Sequence, residues 1–483
     1  DNTADYGGGV LWFGANGTIL NSTFTGNTAT EHGGGIYIGS FGVNSILTNS
    51  TFTSNTAYKN GGAVLWNAAN GILTNSIFKD NAANNVGGGV CWFGNNGNIT
   101  DSTFTDNSAN RLGGAVCWSN SNSTMFDCDF TGNSAASGDN VYWTWSITEF
   151  LNKYGQINEY DYVWIRDGVG TPSITIILNK KGITLHGDGN PIFDAKGNNV
   201  HFEITGDNIL IENLSFRNFN FTGYGGAIQW KGNNGTLKNC NFKNNSFQNG
   251  SGGAVFWSGT NGILTNSTFI NNSAFLSGIN VTFTGGGAIY WNGTKGTLSD
   301  CNFIDNVAGW GGGAIYWGGA NGTLNGSNFI NNIANYAGGV RWNGANGVLT
   351  DCNFINNTAI SYGGGVNWMG IDGIISNSYF VNNTSNDSGG AFSCGVKAHL
   401  MNCYFINNTA KNNGGGIYWL VTGLMTNCNF INSKSQTSNG IYANKDLNLN
   451  GGNGIVHLYI NGTLSGISIV VLNNETYYYP PNT

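Results

Sequence analysis

Residues 61–78 read Gly-Gly-Ala-Val-Leu-Trp-Asn-Ala-Ala-Asn-Gly-Ile-Leu-Thr-Asn-Ser-Ile-Phe. The same frame returns at residues 87–104, where Gly-Gly-Gly-Val-Cys-Trp leads through an Asn-Gly turn to Asn-Ile-Thr-Asp-Ser-Thr-Phe. Its tryptophan recurs at Trp118, Trp230, Trp257, Trp291, Trp317, Trp342, Trp368 and Trp419. The usual step of about 25–26 residues is typical of a solenoid, in which each repeat packs against its neighbours.

The alternation of residue types within each repeat predicts short strands. Val64 and Trp66 keep their class from repeat to repeat, whereas the residue between them varies: it is Leu65 here, and Arg341 or Asn367 elsewhere. Because side chains alternate across a strand, we expect Val and Trp to face inward and the middle residue to face water. Such short strands, joined by Asn-Gly turns, are typical of an all-β fold, and stacking them predicts a parallel β-helix with one repeat per turn.

Asparagine is predicted to join the turns to one another. The chain has 81 Asn, and one stands three residues after nearly every Phe of the repeat, as at Asn81, Asn107, Asn332 and Asn357. Neighbouring strands lie about 4.8 Å apart, so each amide can bond the amides above and below it. We predict an internal Asn ladder, and beside it stacked tryptophans at Trp66, Trp92, Trp118, Trp317 and Trp342.

Composition excludes several classes of protein. Only 9% of the residues are charged, against about 25% in ordinary soluble domains, while 40% are hydrophobic. Disordered chains combine high charge with low hydrophobicity, so this composition excludes disorder. The net charge of −7 and the absence of a Lys/Arg run argue against nucleic-acid binding. The longest apolar tract, near Ile467–Leu472, is far shorter than the ~18 residues of a membrane span. The chain opens in mid-pattern at Asp1, so we expect a piece of a longer protein.

Interruptions of the repeat predict the domain organisation. Residues 1–145 form a first set of turns, 146–172 a more charged connector, and 173–440 a second β-helix with its own opening turns. The repeat then stops. Residues 441–483 are predicted to cap the second β-helix and to start a further β domain, with a hairpin near residues 455–464.

Two signatures of the repeat resemble known families. Gly-Gly-Ala-Ile/Val and Phe-x-x-Asn resemble the repeats of chlamydial polymorphic membrane proteins. The Asn-rich version at 350–359, Thr-Asp-Cys-Asn-Phe-Ile-Asn-Asn-Thr-Ala, is similar to adhesin-like surface proteins of methanogenic archaea. The resemblance covers roughly residues 1–140 and 173–440. It implies a right-handed β-helix that is secreted and displayed at the cell surface, often followed by Ig-like domains, and it carries over no functional residue because the shared motif is structural.

A row of aromatic residues is the candidate binding surface. Phe256, Tyr290 and Tyr316 occupy the predicted outward position on successive turns. Such a row can stack on sugar rings or meet a protein partner; the alternative is that it stabilises the sheet by cross-strand stacking. Sequons that predict glycosylation stand at Asn234, Asn292, Asn321 and Asn461.

The search for catalytic groups yields two pairs of carboxylates. Asp80 with Asp106, and Asp101 with Asp127, lie one turn apart, near the ~5 Å separation of retaining glycosidase carboxylates. The alternative, which we favour, is that Asp replaces Asn in a solvated ladder. The five His have no metal-ligand spacing. We therefore predict no catalytic residue, no metal and no cofactor.

Two cysteines share the predicted outward position on neighbouring turns. Cys91 and Cys117 could form a strained disulfide, but we predict free thiols because Cys interchanges with Ser elsewhere in the repeat.

Together these features predict the class of function. We expect an extracellular, cell-surface adhesin or display protein that binds other cells, surface polysaccharide or protein, or copies of itself. The first alternative is a polysaccharide lyase, glycoside hydrolase or tailspike-like depolymerase. The second is a surface-layer or sheath subunit.

Overall fold

The computed structural model describes residues 1–119, 122–248, 250–275, 285–445, 447–450, 458–460 and 464–465. These residues form a right-handed parallel β-solenoid of about 16 turns, with about 26 residues per turn and almost no helix. The predicted fold class is confirmed.

A typical turn contains four short strands. We name them by their sequence: the Trp strand (Val64–Trp66), the Leu strand (Ile72–Thr74), the Phe strand (Ile77–Lys79) and the Ala strand (Ala82–Ala83). Each pairs in parallel and in register with its counterpart in the next turn. Like residues are therefore stacked on like, because the register repeats the sequence.

The strand bounds follow this scheme along the chain. The Trp strands and their counterparts are Val10–Trp12, Ile36–Ile38, Val64–Trp66, Val90–Trp92, Val116–Trp118, Val141–Ser146, Ile228–Trp230, Val255–Trp257, Ile289–Trp291, Ile315–Trp317, Val340–Trp342, Val366–Trp368, Phe392–Cys394, Ile417–Trp419 and Ile441–Ala443. The Leu strands and their counterparts are Thr18–Leu20, Ile46–Thr48, Ile72–Thr74, Asn98–Thr100, Thr124–Phe126, Thr236–Lys238, Ile263–Thr265, Thr297–Ser299, Thr323–Asn325, Val348–Thr350, Gly373–Ser376, Ala398–Met401 and Gly423–Thr426. The Phe strands are Thr23–Thr25, Thr51–Thr53, Ile77–Lys79, Thr103–Thr105, Asp129–Thr131, Ser215–Arg217, Asn241–Lys243, Thr268–Ile270, Asn302–Ile304, Asn328–Ile330, Asn353–Ile355, Tyr379–Val381, Tyr404–Ile406 and Asn429–Ile431. The Ala strands and their counterparts are Thr3–Tyr6, Thr28–His32, Thr56–Ala57, Ala82–Ala83, Ser108–Ala109, Asn220–Phe221, Ser246–Gln248, Ser273–Phe275, Val307–Ala308, Ile333–Ala334, Thr358–Ala359, Thr384–Ser385 and Thr409–Ala410.

The remaining elements lack the sequence of the four-strand repeat, although several of them pair with its strands, as Phe202–Ile204 does with Ile228–Trp230. The further strands are Tyr162–Arg166, Val169–Gly170, Ile176–Leu178, Thr184–Gly187, Ile192–Asp194, Phe202–Ile204, Leu210–Glu212, Leu447–Asn450, Leu458–Ile460 and Leu464–Ser465. An α-helix, Ile147–Lys153, is followed by a 3₁₀ turn, Tyr154–Gln156. The helix begins with a capping box, in which Ser146 and Glu149 exchange side-chain and backbone hydrogen bonds. We did not predict this helix, although the sequence Ser146-Ile-Thr-Glu149 carries the signature of its start.

The chain divides into two compact units. The first comprises residues 1–170, 179–192 and 208–213, and the second comprises 171–178, 193–207 and 214–483. Within the first unit, Tyr162–Arg166, from the predicted connector, pairs in parallel with Val141–Ser146 and with Thr184–Gly187. The domain boundaries predicted at residues 145, 172 and 440 stay predictions.

The C-terminal strands continue the parallel pairing. Leu458–Ile460 pairs with Ile441–Ala443, and Leu464–Ser465 pairs with Leu447–Asn450. Leu458–Ile460 and Leu464–Ser465 therefore do not pair with each other, contrary to the hairpin expected near residues 455–464. The predicted further β domain and the sequon at Asn461 lie outside the described residues.

Stacked aromatic rings fill the interior. The fully buried ring of Trp317 lies between Trp291 and Trp342, with centroids 5.0 and 4.5 Å away and interplanar angles of 5° and 4°. The Phe strands stack in the same way, as Phe303 and Phe329 do at 4.9 Å. The inward direction predicted for the tryptophans matches the structure. A packed column of rings inside each unit leaves the outer faces of the strands to meet solvent or partners.

The glycine of each Asn-Gly turn has a steric role. A Cβ placed on Gly322 would lie within 2.5 Å of three atoms of the Trp317 ring, and Gly71 is as close to Trp66. The positive φ of these turns belongs to the preceding Asn, at +57° for both Asn321 and Asn70. The two residues of the Asn-Gly pair therefore have different roles: Asn adopts the left-handed backbone conformation, and Gly lets the indole ring pack against the backbone of the turn.

Candidate functional site

An aromatic strip runs along the outer face of the Trp strands of the second unit and the corner that precedes them. We define this aromatic strip by residues Tyr224, Phe256, Tyr290, Trp310, Tyr316, Tyr336, Tyr362, Tyr418 and Tyr442. Parallel pairing puts Phe256, Tyr290 and Tyr316 in register on successive turns. Each of these three side chains is half-buried. The strip is thus a rigid surface that the fold holds ready without a partner.

The rings of the strip face one another. Phe256 and Tyr290 have centroids 5.2 Å apart, and Tyr290 and Tyr316 have centroids 4.7 Å apart, with interplanar angles of 2° in both pairs. A sugar stacked on Tyr290 would need a face that the neighbouring rings already cover. Burial raises the pKa of Tyr290 and of Tyr316, so both phenols stay protonated at neutral pH. A partner therefore meets ring edges and hydroxyl groups.

The outward position of the Trp strand is less exposed than the alternation predicted. Leu65, Cys91 and Cys117 are buried in the first unit, where they form a cluster that includes Val86. Leu112, from the corner before the Trp strand, is partly buried against the same cluster, so the corner segments cover positions expected to face water. Asn367 of the second unit is buried as well. The inference that a position accepting Asn must be solvated was wrong there.

Cys91 and Cys117 are free thiols inside this cluster. Burial and a hydrogen bond to Cys117 hold the pKa of the Cys91 thiol well above its usual range. A thiol that stays protonated is a poor nucleophile, so the pair is suited to packing rather than chemistry.

The buried asparagines form continuous hydrogen-bonded ladders. Nδ2 of Asn81 donates to Oδ1 of Asn107 at 2.9 Å, and Nδ2 of Asn332 donates to Oδ1 of Asn357 at 3.0 Å. Each Nδ2 also donates to a Phe carbonyl of a preceding turn, as Asn332 does to Phe303 at 3.0 Å. All four Asn are fully buried. The ladder satisfies polar groups that would otherwise be buried without partners.

The stacked Asp pairs occupy exposed turns. Asp80 and Asp106 have φ of +54°, and Asp101 and Asp127 have φ of +50° and +51°. Other turns place Asn at these positions, as at Asn331 with φ of +56°. Asn and Asp tolerate the left-handed conformation better than other residues with a side chain. Sequence reasoning missed this second use of Asn, although its signal is present in the Asn or Asp that stands three residues before and two residues after most Phe of the repeat.

The predicted glycosylation sites lie on turns. Asn234, Asn292 and Asn321 are exposed, and Asn234 and Asn321 have positive φ. The side-chain oxygens of Asn234 and Asn321 accept hydrogen bonds from exposed asparagines of the next turn: Nδ2 of Asn261 donates to Asn234 at 2.9 Å, and Nδ2 of Asn346 donates to Asn321 at 3.1 Å. Glycosylation at these positions stays a prediction.

The first unit contains an open cavity of about 360 Å³. Cys128, Asp129, Asp139, Glu159 and Lys180 are among its lining residues. Burial raises the pKa of the Cys128 thiol to about 11, which keeps it protonated. Asp139 accepts the backbone N–H of Ala135 at 2.9 Å. Across the part of the chain that the structure describes, no cluster of three or more His, Cys, Asp or Glu could hold a metal ion.

A buried carboxyl group in the first unit yields a pH prediction. Asp161 accepts hydrogen bonds from the N–H groups of Val141 (3.1 Å), Trp143 (2.9 Å) and Asn158 (2.9 Å). Burial raises the pKa of Asp161 to about 8, and the three donors act in the opposite direction. Because the folded pKa lies above the unfolded value of 3.8, this contribution to stability is full below about pH 4 and is lost as the pH rises towards 8.

We expect Asp161→Asn to lower the free energy of unfolding more at pH 4–5 than at pH 8. Urea unfolding of both proteins across this range measures the difference, in which the titration of all other groups cancels. A destabilisation that grows with pH would mean that Asp161 is ionised in the folded state, and the prediction would be wrong.

No helix in the described part of the chain has the length and apolar character needed to cross a membrane.

Comparisons with known proteins come from both sequence and structure. No curated protein matches the chain. Among solved structures, a rhamnogalacturonan lyase is 15% identical, with 68% of this chain and 87% of that one covered and a TM-score of 0.32. The A-module of Azotobacter vinelandii mannuronan C-5 epimerase AlgE4 is 10% identical, with 79% and 91% covered and a TM-score of 0.31. At these values, the activities of those proteins have no bearing on this chain.

Family models match parts of the chain. Residues 300–316 and 402–418 match the Chlamydia polymorphic membrane protein repeat, in agreement with the resemblance seen in the sequence. The archaeal part of that resemblance has no counterpart among these matches. Residues 2–153 match the family model of the right handed beta helix region.

Proposed function

We propose that this chain is a cell-surface adhesin or display protein and that the aromatic strip is the surface through which it binds its partners. The observation that carries the proposal is the strip itself. Its aromatic side chains repeat from turn to turn on the outer face of the solenoid, where they do not contribute to the packed interior. The repeats at 300–316 and 402–418 support a surface role, since the family that they match is described as a membrane protein family. Trp310, Tyr316 and Tyr418 of the strip lie within these two repeats.

The strip suits binding for a physical reason. Tyr290 is held between Phe256 and Tyr316, so its side chain has little conformational entropy to lose when a partner binds. The edge of its ring offers apolar area and its hydroxyl offers a hydrogen bond. The weakly charged outer surface leaves such contacts as the main source of affinity, because only 9% of the residues carry charge.

We expect the double variant Tyr290→Ala/Tyr316→Ala to bind intact microbial cells or surface glycans at least tenfold more weakly than the unmodified chain, about 1.4 kcal/mol. Purified protein would be incubated with a panel of cells and polysaccharides, and bound protein measured as a function of concentration. The matched control is Tyr379→Ala/Tyr404→Ala, which removes a pair of tyrosines stacked at 4.7 Å on the Phe strands, outside the strip.

Other outcomes would favour the alternatives. Equal loss in both double variants would mean that the strip is not the binding surface. New reducing ends in the glycan samples would favour a depolymerase, and the exposed Asp pairs would then be the first residues to replace. Self-association without binding to any cell or glycan would favour a surface-layer subunit.

A further inference from the structure

One charged side chain interrupts the aromatic strip. Arg341 follows Tyr316 in register on the next turn. Its Cζ lies 4.2 Å from the ring centroid of Trp310 and 4.5 Å from that of Tyr336. The two ring centroids are themselves 4.5 Å apart, with planes at 58°. The guanidinium group therefore sits in a corner formed by two rings on one side, rather than between them.

The charge of Arg341 lies beside aromatic and neutral polar groups. Among the residues that the structure describes, no carboxylate forms an ion pair with it. Nη1 is buried without a hydrogen bond, and Nε makes a long contact of 3.4 Å to Oδ1 of Asn343. Burial lowers the pKa of Arg341 from its usual range. The two rings offset part of the desolvation cost through cation–π attraction, and an anion would offset more.

Neutral polar groups lie beside this charge. Nδ2 of Asn343 donates to the hydroxyl oxygen of Tyr316 at 2.9 Å, which leaves the hydroxyl hydrogen of Tyr316 available to another acceptor. A guanidinium can bind a carboxylate, and the hydroxyl and amide groups beside it can bind hydroxyl groups. The site therefore matches a ligand in which a carboxylate is surrounded by hydroxyl groups. Arg is suited to such a group because Nε and Nη2, on one edge of its planar guanidinium, can bind both oxygens of a carboxylate without using the buried Nη1.

We propose that Arg341, with Tyr316 and Asn343, binds the carboxylate of an acidic sugar, so that the ligand of the aromatic strip is a uronate-containing polysaccharide. This inference rests on the proposed function and names its ligand class. The flanking positions Phe256 and Tyr290 then contact neutral parts of the same polymer. Because only one charge contact is made per strip, binding should weaken moderately with added salt, through screening of that contact.

The test compares polymers of matched size: polygalacturonate, neutral amylose and dextran sulfate. We expect the unmodified chain to bind polygalacturonate at least tenfold more tightly than amylose. Arg341→Gln should remove this preference while leaving amylose binding unchanged, and Arg341→Lys should lie between the two. The matched control is Lys397→Gln, which removes an exposed positive charge elsewhere in the second unit. Tryptophan fluorescence of each variant verifies that the stacked core is intact.

Each other outcome overturns a defined part of the argument. Equal affinity for polygalacturonate and amylose, or an unchanged preference in Arg341→Gln, would refute the uronate assignment. Tighter binding to dextran sulfate would refute the carboxylate. Equal loss on every polymer in Arg341→Gln would make Arg341 a structural residue. If that variant does not fold, insensitivity of the unmodified chain to salt would refute the proposal. Cell binding without binding to any of these polymers would refute this inference alone, whereas no binding at all would refute the proposed function.

Discussion

Asn332→Ala is expected to destabilise the second unit by about 4 kcal/mol. Oδ1 of Asn332 accepts both the backbone N–H and Nδ2 of Asn306 at 3.0 Å, and both donors lie inside the solenoid. Each buried donor that loses its acceptor costs roughly 1–3 kcal/mol. The carbonyl of Phe303 loses its contact with Nδ2 of Asn332 as well. Urea unfolding, combined with hydrogen exchange in the neighbouring turns, measures the loss.

Two further variants define what the ladder requires. Asn331→Gly is the matched control: Asn331 is exposed with φ of +56°, and glycine adopts this conformation freely, so we expect a change within about 0.5 kcal/mol. Asn332→Asp keeps an acceptor for Asn306 but places oxygen against the oxygen atoms of Phe303 and Asn357. Because burial raises the pKa of such a carboxyl, this variant should gain stability on acidification. Equal effects of Asn332→Ala and Asn331→Gly would contradict a structural ladder.

Trp317→Ala is expected to cost about 3–5 kcal/mol, the usual range for removing a buried tryptophan. The indole stacks on Trp291 and Trp342, and its N–H donates to the carbonyl of Gly319 at 3.1 Å. The loss should be local, because each turn packs mainly against its neighbours. Hydrogen exchange should therefore lose most protection in residues 289–342 and little in the first unit.

A second substitution tests whether the indole itself sets the glycine requirement. Gly322→Ala should be strongly destabilising alone, since its Cβ would lie 2.3 Å from Nε1 of Trp317. In the Trp317→Ala background, the same change should be nearly neutral, because the clashing ring is gone. The coupling free energy of this double-mutant cycle is the measurement. Additive effects would show that Gly322 is needed for its backbone rather than for the ring.

Periodicity alone predicted the fold because the same kinds of residue fill the interior in most turns. Val64 and Trp66 keep their residue class in nearly every turn, and the structure buries both. The α-helix at Ile147–Lys153 was missed because it occurs once and therefore has no period. Its capping box at Ser146 and Glu149 is a local signal that a repeat search passes over.

The candidate site was less predictable. The alternation placed Phe256, Tyr290 and Tyr316 on one face, but only the ring geometry reveals that their faces are mutually covered. The neighbourhood of Arg341 combines two turns and a corner, so Trp310 and Tyr336 could not be assigned to it from a one-dimensional pattern. Where corner segments fold over the sheet, as at Cys91, alternation cannot tell an outer position from a covered one.

In-register stacking also bears on how such a chain can change over generations. Duplication of one whole turn within the gene inserts a layer whose two new junctions repeat contacts that already exist, such as Trp on Trp and Asn on Asn. A gain or loss of one residue inside a strand instead shifts the register and turns core side chains outward. Selection can therefore lengthen or shorten the protein in whole turns. It can also rewrite the outer columns residue by residue, so that recognition diversifies while the scaffold stays the same.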